Sequence, residues 1–215
     1  MKSTTFRVRL ADTNFQHNQV GDLLDRMYSR RGYQSSGSAS AHPNRVTLVA
    51  SADENTLATI TVGFDSPAGL LADQLYKDEI DQLRRRGKRL CEFIKLAVDG
   101  GVRSKQVLAA IFHICHIYAK EVTHHSDLFI EVNPRHVAFY QRMLGFVQLG
   151  DERLNTRVNA PAVLLWVDLD YVDAKIREFG GHPEAAMTEK SLFPYAFTQD
   201  EQRHIADQLR ALHKD

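Results

Sequence analysis

Residues 90–99 read LCEFIKLAVD, an apolar run with the length and composition of a buried β-strand that nevertheless contains Glu92. Alternate side chains of a regular strand share a face. The face predicted for Glu92 carries four apolar residues, Leu90, Ile94, Leu96 and Val98. With only hydrocarbon beside it, the carboxylate should have a raised pKa, so Glu92 is a candidate to accept a proton at cellular pH.

The chain that follows this strand predicts a parallel crossover. Gly100 and Gly101 indicate a turn, and apolar spacing predicts a helix over residues 105–122. A second strand is predicted at residues 128–132. A strand, a long helix and a strand in succession place the two strands parallel in one sheet.

Further elements are predicted on both sides of this crossover. Before it come a strand with Phe6, Val8 and Leu10, a helix over 20–27, a Gly- and Ser-rich loop at 32–44, a hairpin of 45–50 with 57–62, and an insertion at 63–89 with one amphipathic helix. After it come a helix over 133–144, strands at 146–149 and 160–168, and a last helix that begins with the capping box of Thr198 and Glu201.

These elements predict an α/β protein with a mixed central sheet flanked by helices. A chain of 215 residues is long enough for one well-buried domain, so we expect a single domain over 1–215, with 171–215 as a C-terminal extension packed on it.

Charge and cysteine content exclude several classes of protein. The 27 basic and 27 acidic residues balance, which argues against general binding to nucleic acid or to a bilayer. Cys91 and Cys115 lie in apolar segments, as is typical of buried thiols in a reducing compartment. No stretch has the character of a signal peptide or a transmembrane span, so we expect a cytoplasmic protein.

A group of histidines invites a metal hypothesis. His113, His116 and Lys120 share one side of the predicted helix, and His124 and His125 follow it. No CxxC or HExxH spacing accompanies them, so we predict polar-face histidines and no metal site.

Several segments carry a family resemblance. The order of elements and the segment NPRHVAFYQRMLGF resemble the GNAT acyltransferases, and CEFIKLAVD is similar to the signature of acyl-homoserine-lactone synthases, with Glu92 at its glutamate and Lys95 at its arginine. The whole chain most resembles the long-chain N-acyl amino acid synthases of the FeeM type, through VGFDSPAGLLAD, RVNAPAVLLWVDLD and SLFPYAFTQDE as well.

This resemblance implies transfer of a fatty acyl group from an acyl carrier protein to the α-amine of an amino acid. Where GNAT acetyltransferases have a glycine-rich pyrophosphate cradle, this chain has DGGVRSKQ. The departure favours the single phosphodiester of acyl-phosphopantetheine over coenzyme A, with no other cofactor.

Roles for individual residues follow, each with a structural alternative. Glu92 is the general base or a paired structural carboxylate, and Tyr140 protonates the departing thiolate or packs in the core. Lys95 and Arg135 are candidates for the acceptor's carboxylate, although Lys95 could instead neutralise Asp99 or Glu92.

A backbone amide and a run of basic residues are also expected to contribute to the reaction. A backbone N–H of residues 94–96 would bind the oxyanion if the parallel strands separate there. The basic run of Arg84, Arg85, Arg86, Lys88 and Arg89 is suited to docking an acidic carrier protein, or is an ordinary solvated helix end.

Other functions remain open at this point. The match at CEFIK permits a homoserine-lactone-type synthase that uses S-adenosylmethionine. A non-catalytic module that binds acyl chains and carrier protein is a second alternative, and acetylation of a small amine by acetyl-coenzyme A is a third.

Overall fold

Eight strands, six α-helices and four shorter helices of the π or 3₁₀ type form the described part of the chain, which in this computed structural model comprises residues 7–11, 14–29, 43–52, 55–100 and 104–213. The strands are β1 (Arg7–Leu10), β2 (Arg45–Ala52), β3 (Asn55–Phe64), β4 (Leu90–Val98), β5 (Asp127–Val132), β6 (Val147–Gln148), β7 (Arg153–Asn155) and β8 (Ala160–Asp168). The helices are α1 (Asn14–Ser29), α2 (Asp73–Arg85), α3 (Lys105–Ile117), α4 (Val137–Leu144), α5 (Leu169–Phe179) and α6 (Gln199–His213). Phe6 and residues 32–42 of the predicted loop lie outside the described residues.

The sheet is mixed, as the sequence predicts. Its strand order is β1-β2-β3-β4-β5-β8-β6, and β7 pairs with β8 as well. The strands β4 and β5 are parallel and are joined through α3, whereas the other pairs are antiparallel. The predicted crossover and hairpin are therefore confirmed.

Alternation along β4 and β5 directs side chains into two separate cores. On one face, Leu90 and Phe129 pack with Tyr76 and Ile80 of α2. On the other face, Cys91, Phe93, Leu128 and Ile130 join the main core, to which α3 and the C-terminal segment contribute. Glu92 consequently lies on the face that α2 covers.

A β-bulge interrupts β4 at Lys95, and the regular alternation predicted for this strand is wrong beyond it. Ile94 pairs with Thr61 and Ala97 with Thr59, so two residues of β4 lie opposite Ile60. Lys95 has a φ of 53°, a left-handed conformation that strains a residue with a Cβ atom. After the bulge it is Ala97, packed with residues of α1, that shares the face of Glu92, and Val98 packs against the main core.

The C-terminal segment contains one helix that the sequence pattern did not predict. Asp168 ends β8 and accepts a hydrogen bond from the amide of Asp170 at 2.7 Å, which begins α5 directly. The predicted capping box of α6 is present, because Thr198 N–H donates to Glu201 at 2.8 Å and Glu201 N–H donates to Thr198 at 3.3 Å. None of the described helices has the length and apolar character needed to cross a bilayer.

Candidate active site

The sheet opens between β4 and β5. These strands pair from Leu90–Asp127 as far as Phe93–Ile130, whereas β5 continues to Val132 paired only with β8. The backbone of residues 94–96 therefore borders a gap, and the separation of strands on which the oxyanion hypothesis depends is present. The bulge at Lys95 lies on the β4 side of this gap.

Glu92 lies beside the gap and has polar neighbours, contrary to the purely hydrocarbon surroundings expected from alternation. Its Oε1 accepts a hydrogen bond from the Leu71 amide at 2.7 Å, and its Oε2 accepts one from the Ala72 amide at 3.0 Å. Both donors belong to the turn that leads into α2. The carboxylate thus also anchors that turn to β4.

Gly63 on the neighbouring strand makes room for this carboxylate. It pairs with Glu92, and a Cβ atom at position 63 would lie 3.0 Å from both Cγ and Oε1 of Glu92. On the far side of Gly63 the register continues to Arg45 of β2. Arg45 and Glu92 therefore share a face, about 10 Å apart across two strand spacings.

Burial controls the protonation of Glu92. Its side chain is enclosed, with 2% of the residue exposed, and burial raises the carboxyl pKa above the ordinary value. The two amide hydrogen bonds and the charge of Arg45 act in the opposite direction, and the charge of Glu131 adds to the rise. The predicted direction of the pKa shift is thus reproduced, moderated by neighbours that the sequence pattern did not show.

Glu131 is a second buried carboxylate that sequence reasoning missed. It follows Phe129 on the same face of β5, pairs with Arg157 at 2.7 Å, and accepts a hydrogen bond from Asn155. Its Oε2 atom is buried without a hydrogen-bond partner among the described residues. The run DLFIEV carries the signal that marked Glu92, an acid in an apolar strand, and could have revealed it.

The charge of Arg45 acts on Glu92, whereas the predicted cation, Lys95, is shown only to interact with Arg45. The pKa of Lys95 is lowered by burial and then by the charge of Arg45, so the two cations are within electrostatic range. Arg45 forms no ion pair with another described residue. It was missed because its relation to Glu92 depends on the register of three strands, which no local pattern encodes.

Tyr140 and Arg135 lie on the segment that follows β5. The Tyr140 ring packs edge-on against Phe112 at 6.3 Å, and Phe112 in turn stacks with Phe93 at 6.4 Å, at the end of the β4–β5 pairing. Arg135 is exposed in the turn before α4, and its Nε lies 3.2 Å from a ring nitrogen of His136. Tyr140 is thus tied to the gap through two aromatic rings.

The basic run divides into paired and exposed residues. Arg84 binds three carboxylates, those of Asp65 at 2.7 Å, Asp73 at 2.7 Å and Asp81 at 2.6 Å, and these bonds raise its pKa. Lys88 pairs with Asp127 at 3.4 Å and with Asp168 at 3.6 Å. The side chains of Arg85, Arg86 and Arg89 remain exposed.

An apolar cavity lies on the opposite face of the sheet from Glu92. Phe93 forms part of its wall, together with Phe112 of α3 and Val172 of α5. Leu192, Phe193 and Ala196 of the C-terminal segment close it.

The histidines do not assemble a metal site in the part of the chain that the structure describes. His113 and His116 are buried, in contrast to the polar-face placement predicted from spacing, and both line the apolar cavity. His125 is also buried, and burial lowers its pKa to about 4.

One family model and several solved structures are similar to this chain. A family model described as N-acyl amino acid synthase FeeM matches residues 19–168. The solved structure of FeeM, an N-acyl amino acid synthase from uncultured soil microbes, is similar with a TM-score of 0.72 and 26% identity, over 80% of this chain and 96% of that chain. No curated protein sequence matches.

More distant structures share the fold alone. An acyl-CoA N-acyltransferase from Pseudomonas aeruginosa has a TM-score of 0.54 at 14% identity, over 76% of this chain and 99% of its own. An acetyltransferase of the GNAT family from Streptococcus pneumoniae has a TM-score of 0.53 at 14% identity, over 76% and 99%.

A mixed sheet that opens between two parallel strands beside a buried glutamate, together with these relatives, defines an acyltransferase of the GNAT fold. The chain belongs to the FeeM family of N-acyl amino acid synthases, whose model covers well over half of its residues. The resemblance inferred from the sequence is confirmed.

Proposed function

We propose that this enzyme transfers a fatty acyl group from the phosphopantetheine thioester of an acyl carrier protein to the α-amine of an amino acid. The observation that carries the proposal is the position of Phe93, which ends the β4–β5 pairing and also lines the apolar cavity. A thioester at the gap could therefore place its hydrocarbon chain in the cavity and its carbonyl beside residues 94–96.

The reaction needs a neutral amine. In our account, Glu92 accepts a proton from the acceptor's ammonium group, directly or through a water molecule, and the amine attacks the thioester carbonyl. The tetrahedral oxyanion is stabilised by a backbone N–H of residues 94–96. The C–S bond then breaks, and Tyr140 donates its proton to the departing thiolate. The second proton, which the nitrogen loses as the amide forms, restores the Tyr140 hydroxyl group.

Glu92 serves two purposes in this proposal. Its hydrogen bonds to Leu71 and Ala72 hold the turn before α2, and they fix the carboxylate in one orientation. Each oxygen still has a lone pair for a substrate proton or a water molecule. The raised pKa brings its affinity for protons closer to that of a useful base near neutral pH.

The acceptor's carboxylate requires a cation on the same face as Glu92. Lys95 and Arg135 were predicted for this role, and Arg45 is a third candidate because it lies in line with Glu92 across Gly63. An α-amino acid carries its ammonium and carboxylate groups on one carbon atom. Such a molecule above Gly63 would have its ammonium group near Glu92 and its carboxylate near Arg45.

Exposed arginines supply a docking surface for the carrier protein. Arg85, Arg86 and Arg89 are accessible to an acidic partner, whereas Arg84 and Lys88 are held in internal ion pairs. These arginines precede Leu90, about 13 Å along β4 from the gap. A small folded domain with a radius of gyration of about 13 Å can span that separation. We assign the reaction to the cytoplasm because Cys91 and Cys115 are both buried free thiols.

Mass spectrometry of lipids from cells that overexpress the protein tests this function. New N-acyl amino acids should accumulate, and they should be absent from cells that express the Glu92→Gln variant at an equal level of folded protein. Accumulation of acyl-homoserine lactones, or of bound lipid that is never transferred, would contradict the proposal.

A further inference from the structure

His116 is an exception among the side chains that line the apolar cavity. The residue is only 3% exposed, and neither ring nitrogen has a hydrogen-bond partner among the described residues. Buried polar atoms are nearly always hydrogen-bonded, because an unpaired buried group carries a large desolvation cost. A buried imidazole that makes no hydrogen bond at the wall of a cavity therefore indicates a ligand that completes its hydrogen bonding.

The neighbouring His113 shows the contrasting case. Its Nδ1 accepts a hydrogen bond from the Phe197 amide at 3.0 Å, and its Nε2 lies 3.2 Å from Oε1 of Gln202. Both nitrogens are thus used to tie α3 to the C-terminal segment. The burial of His113 is explained by its hydrogen bonds within the protein, whereas the burial of His116 is not.

The surroundings of His116 indicate which kind of group it can bind. Its Nε2 atom lies 3.8 Å from Oδ1 of Asp173, too far for a hydrogen bond but close enough to favour the tautomer with the proton on Nε2. The polar contact with His116 and, to a smaller extent, the charge of Arg177 at 3.2 Å lower the pKa of Asp173, so this carboxylate is ionised. In that tautomer Nδ1 is an acceptor, so its partner must be a donor such as a hydroxyl group.

The position of His116 on α3 indicates where along a chain that hydroxyl lies. Phe112 stacks with Phe93 at the gap, and His116 is four residues further along α3, about 6 Å beyond Phe112. An acyl chain that enters past these two rings would reach His116 several carbons away from its thioester.

We propose that His116 determines specificity by accepting a hydrogen bond from a hydroxyl group in the middle of the acyl chain, so that the preferred donor is a hydroxylated fatty acyl thioester. This inference rests on the proposed function, because it places the acyl chain of that reaction in the cavity. It adds a polar requirement to a cavity whose other walls are mainly apolar.

Competition between donors of equal chain length tests the inference. The carrier protein is loaded with a straight chain, with a chain hydroxylated at the carbon β to the carbonyl, with mid-chain hydroxylated chains, and with a mid-chain ketone. For the wild-type enzyme, kcat/KM should be about tenfold or more higher for a mid-chain hydroxylated donor than for the straight chain or the ketone. Equal or better use of the straight chain, or a preference for the β-hydroxyl or the ketone, would overturn it.

Variants locate the preference at His116. In His116→Leu the ratio of kcat/KM for the mid-chain hydroxylated donor to kcat/KM for the straight chain should fall to about one, and His116→Gln should restore part of this ratio because its amide oxygen is an acceptor. Ile176→Leu reshapes the same cavity without a polar change and should keep the preference. If His116→Leu kept the full preference, another group would be responsible.

The failure of this inference can be told apart from failure of the proposed function. Transfer from the straight-chain donor without a hydroxyl preference refutes only the role of His116. If no donor is turned over, calorimetric titration of the wild-type protein with free hydroxylated and straight-chain fatty acids decides the inference alone. Tighter binding of the mid-chain hydroxy acid supports it, and equal binding contradicts it.

Discussion

Glu92 and Gly63 pair across β3 and β4, and the Glu92 side chain fills the space that a side chain at position 63 would need. The carboxylate can reach the amides of Leu71 and Ala72 because nothing projects from Gly63. The absence of a side chain on one strand thereby sets the position of the candidate base on the next.

The Gly63→Ala variant should lose activity through displacement of Glu92. The new Cβ atom would lie 3.0 Å from Cγ and Oε1 of Glu92, so the carboxylate must shift. A displacement of the order of 1 Å in a catalytic group can reduce kcat about 100-fold, and we expect a loss of about 10- to 100-fold by steady-state kinetics.

Gly87→Ala provides the control for that substitution. Gly87 has a φ of 72°, and a Cβ atom added there would have no other atom within 4 Å, so alanine is strained at this position without touching Glu92. Unfolding should show a loss of about 1 kcal/mol with kcat unchanged. Equal losses of kcat in the two variants would mean that the effect of Gly63→Ala is one of stability alone.

The rate of acyl transfer should rise with pH through the raised pKa of Glu92. Glutamate ordinarily titrates at about 4.3, and burial of Glu92 moves its pKa above that value. Glu92→Gln should remove this limb of the kcat profile and lower kcat by about 100- to 10,000-fold. An unchanged pH profile in the variant would show that another group is the base.

The contribution of Glu92 to the free energy of unfolding should fall as the pH rises, whereas the rate of acyl transfer should rise. Because the folded pKa of Glu92 is raised, its contribution to stability is fully present below about pH 4.3 and is lost as the pH rises through the folded pKa. Glu92→Gln should also cost about 1 to 3 kcal/mol, since an amide NH₂ would face an amide donor of Leu71 or Ala72. Chemical denaturation of both proteins at several pH values measures these effects.

Arg45→Gln should weaken binding of the acceptor and leave the acyl donor unaffected. If Arg45 binds the acceptor's carboxylate, removing a charge-assisted hydrogen bond should raise KM for the amino acid about tenfold or more. Lys95→Gln and Arg135→Gln are matched comparisons, since both were predicted for the same role. An unchanged KM for the amino acid in Arg45→Gln would exclude Arg45.

Substitutions in the basic run should have two different effects, one on binding of the carrier protein and the other on stability. Charge reversal in Arg85→Glu with Arg86→Glu should raise KM for the acyl carrier protein, most strongly at low salt, without altering the melting temperature. Arg84→Gln should instead destabilise the protein by about 2 kcal/mol, because Asp65 and Asp73 lose their shared partner. If the double variant keeps its KM for the carrier at low salt, docking occurs elsewhere.

Local patterns were enough to predict most of the fold. Residues that are close together in the sequence specify the apolar runs of β4, β5 and β8, the periodicity of α3 and the capping box of α6. Periodicity could not predict the bulge at Lys95, because a bulge forms where β3 and β4 lose register, which depends on both strands.

The site was predictable only in part for the same reason. Glu92 was recognisable as an acid in an apolar strand, and Glu131 carries that signal too. The donors to Glu92 come from the turn before α2, about twenty residues earlier in the chain, and Arg45 reaches its face through two strand pairings. Such relationships exist only in the folded chain.

The most direct test of the central claim is a reaction with the purified protein. It would be incubated with a fatty acyl carrier protein and a mixture of amino acids, and the products would be analysed by liquid chromatography and mass spectrometry. Our account predicts an N-acyl amino acid that requires Glu92 and forms faster from the acyl carrier protein than from acyl-coenzyme A. Absence of any amide product, with the donor thioester intact and the protein folded, would contradict it.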